Sequence, residues 1–416
     1  MKKLFVLGLL LFMTVIPVIA GGTTDGEEQK TIELFISGKS VWGEPINTVI
    51  EKFTAEYPNI SVEVEVVGGG VDYQPVLAGR ARTDTLPDIF MINGLGDYVV
   101  YQEFLDDLSD MDVVDHMLPN VAKASYHEGN LMGLPVSIEG YGYIYNKKLG
   151  AQAGISKVPE RFSELEAAVN KLQAAGITPF CSGYNTWWVM SNHQFNIPFA
   201  MQDDPLGFIE GLNEGTETLV GNEYFEDLEQ LIQLVKNNTA NPPLTEDHRM
   251  QVSLFASEKV AMIQQGNWKE AAIMDANPDI EMGLVPLAIS EDPAKSGSIA
   301  VGIPWFWVVT ADSPENEEAR AFLNWLNNEP KGQEQLVTTL NSIPAYDHFD
   351  AEFAGGISSD VLAYSARGKA LPWIFPLWPA GYQQSASDIL QEYVAERITY
   401  AEALERLDKE YKALVK

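Results

Sequence analysis

Strand-like and helix-like residue patterns alternate along most of this chain. Residues 129–180 show the alternation most clearly, because they change character three times within about fifty residues. Gly-Pro punctuation gives way to an apolar, strand-favouring run at 141–145, and after a polar turn a helix pattern begins at Pro159. Alternation of this kind predicts an α/β fold, in which helices pack on largely parallel sheets.

Apolar periodicity predicts where the individual elements lie. Gly and Pro mark 133–140 and 296–304 as the best places for the chain to cross between two lobes. Strands are predicted around 31–37, 61–67, 87–92, 141–145, 260–263, 281–285 and 299–310. Helices are predicted around 44–57, 162–175, 224–236, 316–328 and 384–396.

The N-terminus has the pattern of a secretory signal peptide. Two lysines precede an apolar run, and Val18-Ile19-Ala20 precedes Gly21. We predict a signal peptide at 1–20, cleaved after Ala20, and a disordered leader at 21–30. A membrane anchor is disfavoured because the apolar run, about fifteen residues long, is shorter than the roughly 20 that span a bilayer. The residue directly after Ala20 is Gly21 and not a Cys that could carry a lipid, so a periplasmic protein without a lipid anchor is expected.

The charge balance excludes several classes of partner. The chain has 59 acidic and 27 basic residues, a net charge of −32. Nucleic-acid binding depends on Lys and Arg contacts to phosphate, so it is not expected. The same charge disfavours anionic membranes and polyanionic substrates. The single Cys181 excludes an intramolecular disulfide framework.

Catalytic and cofactor motifs give no positive signal. The chain has no GxSxG, no P-loop and no HExxH, and its five histidines show no paired metal-binding spacing. The acidic residues at 106–115 lack the pattern of a calcium-binding loop. No cofactor, metal site or catalytic residue is therefore predicted.

Several motifs occur in the order typical of one family. They are GNLMGLP (129–135), YIYNKKL (143–149), AAGITPF (174–180), FTAEYPNISVEVEV (53–66), LPDIFMING (86–94), LFASEKVAMIQQGNW (254–268) and ENEEARAFLNWLNNEPKGQE (316–335). With these motifs the chain resembles the family 1 extracellular solute-binding proteins, the sugar-capturing subunits of ABC importers. The resemblance runs from about residue 31 to the end. Ser257 stands where the family usually has Gly.

The resemblance implies a type II periplasmic binding protein fold. Each lobe is then a mixed, mostly parallel sheet flanked by helices, and the ligand cleft lies between the lobes. The N-terminal lobe is expected at 31–138 plus 300–345, and the C-terminal lobe at 139–299 plus 346–416.

Tryptophans in predicted loops point towards sugar binding. Trp325 lies inside a helix pattern and is expected to pack in the core. The other eight lie beside Gly, Pro, Asn or Ser: Trp42, Trp187, Trp188, Trp268, Trp305, Trp307, Trp373 and Trp378. Flat aromatic rings cover the apolar faces of a pyranose, while carboxylates and amides bind its hydroxyls. Packing in the core remains the alternative explanation for each of these rings.

The resemblance and the loop aromatics together nominate the site residues. Glu139 matches a sugar-binding carboxylate of maltose-type members, and Trp268 matches their stacking position. The segments 184–189 and 372–379 resemble aromatic loops of the second lobe. The full set of expected ligand-binding residues is Lys39, Trp42, Asn93, Asp97, Glu139, Tyr184, Asn185, Trp187, Trp268, Trp305 and Trp378.

The predicted function is capture of a neutral sugar or oligosaccharide by hinge closure. The resemblance implies delivery to the membrane permease of an ABC importer, by a monomer that is not an enzyme. One alternative is a secreted glycosidase with two carboxylates facing the cleft. Another is an exported binder of a different solute, such as a peptide, a polyamine or a metal.

Overall fold

The computed structural model describes residues 29–37, 43, 45–67, 73–349 and 356–415. The strands are β1 (Lys30–Ser37), β2 (Ile60–Val67), β3 (Ile89–Ile92), β4 (Tyr126–His127), β5 (Asn130–Leu131), β6 (Leu134–Pro135), β7 (Glu139–Asn146), β8 (Phe180–Cys181), β9 (Met262–Gly266), β10 (Met282–Val285), β11 (Ile299–Gly302), β12 (Phe306–Val309) and β13 (Ala370–Pro372). The predicted signal peptide and all but the last two residues of the predicted leader lie outside the described residues.

Helices cover both sheets. They are α1 (Ile46–Glu56), α2 (Tyr73–Arg82), α3 (Leu95–Tyr101), α4 (Pro119–Ser125), α5 (Lys147–Gln152), α6 (Phe162–Ala174), α7 (Asn196–Ala200), α8 (Pro205–Glu214), α9 (Glu223–Asn237), α10 (His248–Ala256), α11 (Glu270–Ala276), α12 (Asn316–Asn328), α13 (Pro330–Thr338), α14 (Gly356–Ala366), α15 (Tyr382–Val394) and α16 (Tyr400–Leu414). A π-helix occupies Val189–Phe195. Short 3₁₀ helices lie at Gln102–Phe104, Asp112–His116, Pro243–Thr245, Asn267–Lys269 and Phe375–Leu377.

The first lobe is built on a sheet with the strand order β2-β1-β3-β12-β6. All four residues of β3 are buried, as expected for a central strand covered on both faces. Helix α1 turns its apolar stripe inward, and Phe53 from this stripe packs against Phe322 and Trp325 of α12 at centroid distances of 5.0 and 5.4 Å. Trp325 is fully buried, so its predicted packing role is confirmed.

The second lobe is built on a sheet with the order β13-β11-β7-β9-β8, and β10 also pairs with β7. The eight-residue β7 is long enough to pair with β11 through its first residues and with β10 through its last. A cluster of aromatic and aliphatic side chains from α7, α9, α15 and α16 forms the core of this lobe.

The chain passes between the two sheets at three places. It leaves β6 in the first sheet and enters β7 in the second after three residues, and it returns from β11 to β12 after another three. The third passage follows Tyr346, which still bridges to Met117 of the first lobe, and precedes α14, which packs on the second sheet.

Two details differ from the sequence prediction. The stretch 299–310 is two strands in different sheets, because Pro304 in the intervening turn has no N–H for a ladder. The sheets are mixed, as predicted, but among the described strands antiparallel pairings are at least as frequent as parallel ones. Strands that arrive from the other lobe, such as β12, enter in the opposite direction.

Among the described residues, no helix has both the length and the apolar character needed to cross a bilayer.

Candidate functional site

The first residue of β7 lies where the crossings between the lobes meet. Glu139 is paired in register with Gly302, the last residue of β11. The preceding residue, Ile138, bridges to Ile343. The backbone N–H of Gly140 donates to Asn267 Oδ1 at 2.9 Å, which joins β7 to the turn after β9. Glu139 is therefore held by backbone pairing at the junction of three segments.

The Glu139 carboxylate differs from the other buried carboxylates of the described residues. Three of those are bound by protein donors: Asp88 by the Glu33 N–H (2.6 Å), Glu246 by the Ser182 N–H (2.6 Å) and Glu270 by the Ile357 N–H (2.8 Å). No side-chain hydrogen bond contributes to the electrostatics of Glu139, which is only 8% exposed. A buried carboxylate without a donor is costly, so it is suited to receive donors from a ligand.

Burial controls the ionisation of this carboxylate. Loss of hydration raises the pKa of Glu139 to about 8, while the nearby positive charge of Lys269 acts in the opposite direction. Burial also lowers the pKa of Lys269, and the charge of Glu139 opposes that change. The two side chains form no ion pair within 4.0 Å among the described contacts, so each keeps hydrogen-bonding capacity.

Two tryptophans flank Tyr141, which lies two residues after Glu139 on the same face of β7, and a glycine makes room for each ring. A Cβ on Gly302 would lie 2.4 Å from Trp373 Cγ, and a Cβ on Gly266 would lie 2.3 Å from Trp268 Cζ3. The ring centroids of Trp268 and Trp373 are 6.4 Å apart, and their planes meet at 84°. Both indoles are partly exposed, so they present two apolar surfaces at a right angle beside the carboxylate.

A chain of amide side chains fixes the Trp268 ring. Its Nε1–H donates to Gln265 Oε1 at 2.9 Å, and Gln265 Nε2 donates to Gln251 Oε1 at 2.6 Å. Gln251 Nε2 donates in turn to the backbone carbonyl of Cys181 at 3.1 Å. Both glutamines are buried. The indole orientation is therefore set by the protein before any ligand arrives.

A π-helix places a neutral histidine behind these rings. π-Helices are rare and often occur at functional sites. His193 in this helix stacks on Tyr141 with a centroid distance of 4.1 Å, and its ring centroid lies 5.3 Å from that of Trp268 and 5.0 Å from that of Trp188. Burial lowers the pKa of His193 to about 3, so the ring is neutral at pH 7.

The first lobe contributes the loop that follows β3. The backbone N–H of Asn93 donates to Asp97 Oδ2 at 2.8 Å, and Asn93 Nδ2 donates to the Pro304 carbonyl at 2.7 Å. Burial raises the pKa of Asp97. Next in the chain, Gly94 has φ 72°, and a Cβ there would lie 2.9 Å from Pro376 Cβ of the second lobe. The two lobes thus touch at the edge of the cleft.

Comparison with known proteins identifies the family. Residues 39–333 match the family of bacterial extracellular solute-binding proteins. The chain belongs to this family. The predicted family is therefore confirmed. Because members of this family bind solutes outside the cell, the predictions of a binding protein rather than an enzyme and of an extracellular location are also confirmed.

Relatives of this solute-binding protein extend over its full length. It is 23% identical to the melibiose/raffinose/stachyose-binding protein MelE of Bacillus subtilis, over 100% of this chain and 97% of that protein. A sugar transporter of Bacillus licheniformis solved with stachyose is 22% identical, has a TM-score of 0.75, and the match covers 92% of this chain and 100% of that one. The binding protein RafE solved with raffinose is 19% identical, has a TM-score of 0.78, and the match covers 93% and 100%. These likenesses confirm the predicted fold.

Some predicted site residues of this solute-binding protein lie together and others do not. The structure groups Glu139 with Trp268 at β7, and it places Asn93 and Asp97 on the cleft-edge loop of the first lobe. Trp305 is 8% exposed, and its ring lies against Tyr73 in the first lobe. Lys39 and Trp42 lie outside the described residues.

The remaining predicted residues lie on the second lobe. Trp378 packs against Phe199 at 4.8 Å within the buried aromatic core. Tyr184 is fully buried, and its hydroxyl donates to Gln194 Oε1 at 3.0 Å. The neighbouring Asn185 is exposed, and the half-buried Trp187 precedes the π-helix. Trp378 and Tyr184 therefore belong to the packing of the second lobe.

Four residues of the group around Glu139 are absent from the predicted set: Trp188, His193, Lys269 and Trp373. Trp188 and Trp373 were visible as tryptophans in predicted loops, and Lys269 follows Trp268 directly. No sequence signal distinguishes His193, because its position depends on the extra residue per turn of a π-helix.

Proposed function

We propose that this solute-binding protein captures a neutral oligosaccharide in the cleft beside Glu139, Trp268 and Trp373, and delivers it to the permease of an ABC importer. The observation that carries the proposal is the buried Glu139 carboxyl group, which has no side-chain hydrogen bond among the described contacts and begins the strand on which the two perpendicular indoles lie. A sugar has apolar C–H faces that fit the indoles and hydroxyl groups that can hydrogen-bond the Glu139 carboxyl group.

The chemistry of a sugar ring matches the group part by part. The C–H faces of a pyranose are apolar and gain free energy when an indole covers them. Its hydroxyls hydrogen-bond the Glu139 carboxyl group and accept from Lys269, so both polar groups receive partners. A sugar with a missing or inverted hydroxyl leaves them unpaired, which gives strong discrimination.

The relatives support an oligosaccharide rather than a single sugar. The sugars named for these relatives include melibiose, raffinose and stachyose. Two ring platforms 6.4 Å apart suit more than one sugar unit. The net charge of −32 favours a neutral ligand over an anionic one.

Lobe closure would bring the two sides of the cleft onto the ligand. Three short passages between the sheets form the hinge, and the near contact of Gly94 with Pro376 marks where the rims meet. A ligand that contacts both lobes shifts the population towards the closed state. The first lobe of this proposal comprises residues 31–138 plus 303–345, and the second comprises 139–302 plus 346–416. The sequence-based boundary at 300 moves to 303 because β11 pairs in the second sheet.

The remaining expectations complete the proposal. The protein is exported with removal of residues 1–20, acts as a monomer in the periplasm, and binds no nucleic acid. Among the sequence-predicted residues, Asn93 and Asp97 supply the first-lobe rim.

The site favours binding over glycoside hydrolysis. A glycosidase needs a second carboxylate about 5–10 Å from the first. The charged group that acts on Glu139 is the cation Lys269, and no second carboxylate contributes to its ionisation among the described residues.

A thermal-shift screen tests the function. The panel contains melibiose, raffinose, stachyose, maltotriose, a short peptide and spermidine. A micromolar binder at millimolar concentration stabilises the native state by about 4 kcal/mol. We expect one or more of the oligosaccharides to raise the melting temperature and to be recovered intact by chromatography. Stabilisation by spermidine or the peptide alone, or release of smaller sugars, would overturn the proposal.

A further inference from the structure

Three potential metal ligands meet on the first lobe, away from the residues assigned to the sugar. His116 Nδ1 lies 3.1 Å from Asp347 Oδ1, although 231 residues separate the two in sequence. His348 joins them, so that one ligand atom from each of the three side chains lies within 4.8 Å of the others. Spacing rules detect only histidines that are close in sequence, so this cluster had no sequence signal.

The backbone imposes this arrangement. The Asp347 N–H donates to the His116 carbonyl at 2.8 Å, and the Leu118 N–H donates to the Ala345 carbonyl at 3.0 Å. Between these bonds Met117 and Tyr346 form an antiparallel bridge. The side chains are therefore brought together by paired main chain, and their proximity does not depend on their own attraction.

The hydrogen bonding of His348 leaves one ring nitrogen as an acceptor. Its Nε2 lies 2.9 Å from the Asn327 carbonyl, which can only accept, so Nε2 carries the proton. The other nitrogen, Nδ1, is then unprotonated, and it is buried without a hydrogen-bond partner in the part of the chain that the structure describes. Metal-ligating histidines typically donate their other N–H to a carbonyl or carboxylate in this way.

We propose that His116, Asp347 and His348 bind a divalent transition-metal cation of the zinc class, with water as the fourth ligand. Two imidazoles and a carboxylate are typical ligands for such an ion. Bonds of about 2.0–2.1 Å place tetrahedral ligand atoms about 3.4 Å apart, so the cluster must contract slightly. His116 and Asp347 are 46% and 61% exposed, which gives them room to move and gives the ion an entry path.

The position of the site gives the ion a structural effect. Asp347 and His348 belong to the segment that leads from the first lobe to α14 on the second sheet. A bound ion would fasten this segment to the 3₁₀ helix Asp112–His116 of the first lobe. Because 231 residues separate His116 from Asp347, a bound ion would close a long loop. Closing such a loop restricts the unfolded chain and so stabilises the folded one.

Calorimetric titration with ZnCl₂ tests the site, on full-length protein that carries no polyhistidine tag. We expect one ion per chain, a Kd below about 10 µM, and a rise in melting temperature that EDTA reverses. Asp347→Asn and His116→Ala should each weaken binding at least about tenfold. Asp347→Asn keeps the shape of an exposed side chain, so it retains the fold even where a histidine variant does not.

His127→Ala is the matched control, because it removes one histidine outside the cluster. It should leave zinc affinity unchanged, and MgCl₂ and CaCl₂ should give no comparable heat, since these ions prefer all-oxygen ligands. Absence of saturable zinc binding, or equal affinity in the wild type, Asp347→Asn and His116→Ala, would overturn the proposal. Sugar affinity plays no part in this readout, so the result is independent of the proposed function.

Discussion

Trp268 and Trp373 stand at a right angle across the start of β7, with ring centroids 6.4 Å apart. They come from distant parts of the chain, one directly after β9 and one directly after β13. Each ring lies over a glycine of the sheet, and the buried Glu139 begins the strand between them. Under the proposed function, these two rings and the Glu139 carboxyl group form the sugar-binding surface at the start of β7.

Loss of the Trp268 ring should weaken sugar binding more than it weakens the fold. Trp268→Ala removes an aromatic contact that typically contributes about 2–4 kcal/mol at a binding hot spot, which is roughly 30- to 1000-fold in affinity. Trp268→Phe keeps an aromatic ring but loses the hydrogen bond to Gln265, so its sugar affinity should lie between those of the wild type and Trp268→Ala. Isothermal titration with the sugar found in the screen measures this order. Wild-type affinity in Trp268→Ala, with a lowered melting temperature, would assign the ring a purely structural role.

A methyl group on Gly302 should act through Trp373. The added Cβ would lie 2.4 Å from Trp373 Cγ, so the indole ring must shift from its position over β11. We expect Gly302→Ala to lose at least about tenfold in sugar affinity, or about 1.4 kcal/mol. Gly96→Ala is the control, because a Cβ there meets no atom within 4 Å. Equal affinity in the two variants would contradict the role given to Trp373.

Glu139 should make the protein less stable as the pH rises from about 4.5 to 8. Its pKa is raised from 4.5 to about 8 in the folded state, so the folded state binds more protons than the unfolded state across that window. The free energy of unfolding therefore falls with pH, by an amount on the order of 4 kcal/mol for this group. Urea unfolding of wild type and Glu139→Gln at pH 5 and pH 8.5 isolates the effect, since the variant lacks this group. Parallel pH profiles for the two proteins would contradict it.

The same substitution should weaken sugar binding. Glu139→Gln retains the shape but removes a charged acceptor, and a charge-assisted hydrogen bond contributes about 1.5–3 kcal/mol. Titration at pH 8.5, where the wild-type carboxylate is ionised, should show the largest difference. An affinity loss that is identical for the ligand and for its weaker-binding epimers would argue that Glu139 does not read hydroxyl positions.

His193 should have the opposite pH dependence. Its pKa is lowered from 6.5 to about 3 by burial, so the unfolded state binds more protons between those values. Stability should then rise with pH over this window and fall on acidification. His193→Gln should flatten the profile between pH 4 and pH 7, measured as melting temperature. A wild-type profile that is flat in this range would contradict the neutral, buried histidine.

The fold was predictable where local pattern and global packing agree. Helix α12 coincides with the predicted 316–328 because its apolar residues repeat at helical spacing and Pro330 follows its end. The apolar stretch 299–310 looked continuous, yet it serves two sheets, because the choice between sheets depends on long-range pairing.

The candidate site shows the same limit. Trp373 and Trp378 lie in one aromatic segment on either side of the 3₁₀ helix Phe375–Leu377. The Trp373 ring lies against Tyr141 and Gly302, whereas the Trp378 ring lies in the core. Composition could not separate the two, because both tryptophans lie beside a proline. Glu139 was nominated through its motif, whereas the absence of a side-chain hydrogen bond to it among the described residues emerged only from the structure.

The most direct test is a calorimetric titration of raffinose and stachyose into the wild-type protein and into the Trp268→Ala/Trp373→Ala double variant. The proposed site predicts saturable one-to-one binding by the wild type, with a Kd near or below about 1 µM for the better ligand. It predicts no measurable heat for the double variant, although its circular dichroism spectrum should match that of the wild type. Equal affinity in both proteins would show that the sugar binds elsewhere. The absence of binding heat for the wild type with every oligosaccharide of the panel would contradict the proposed function itself.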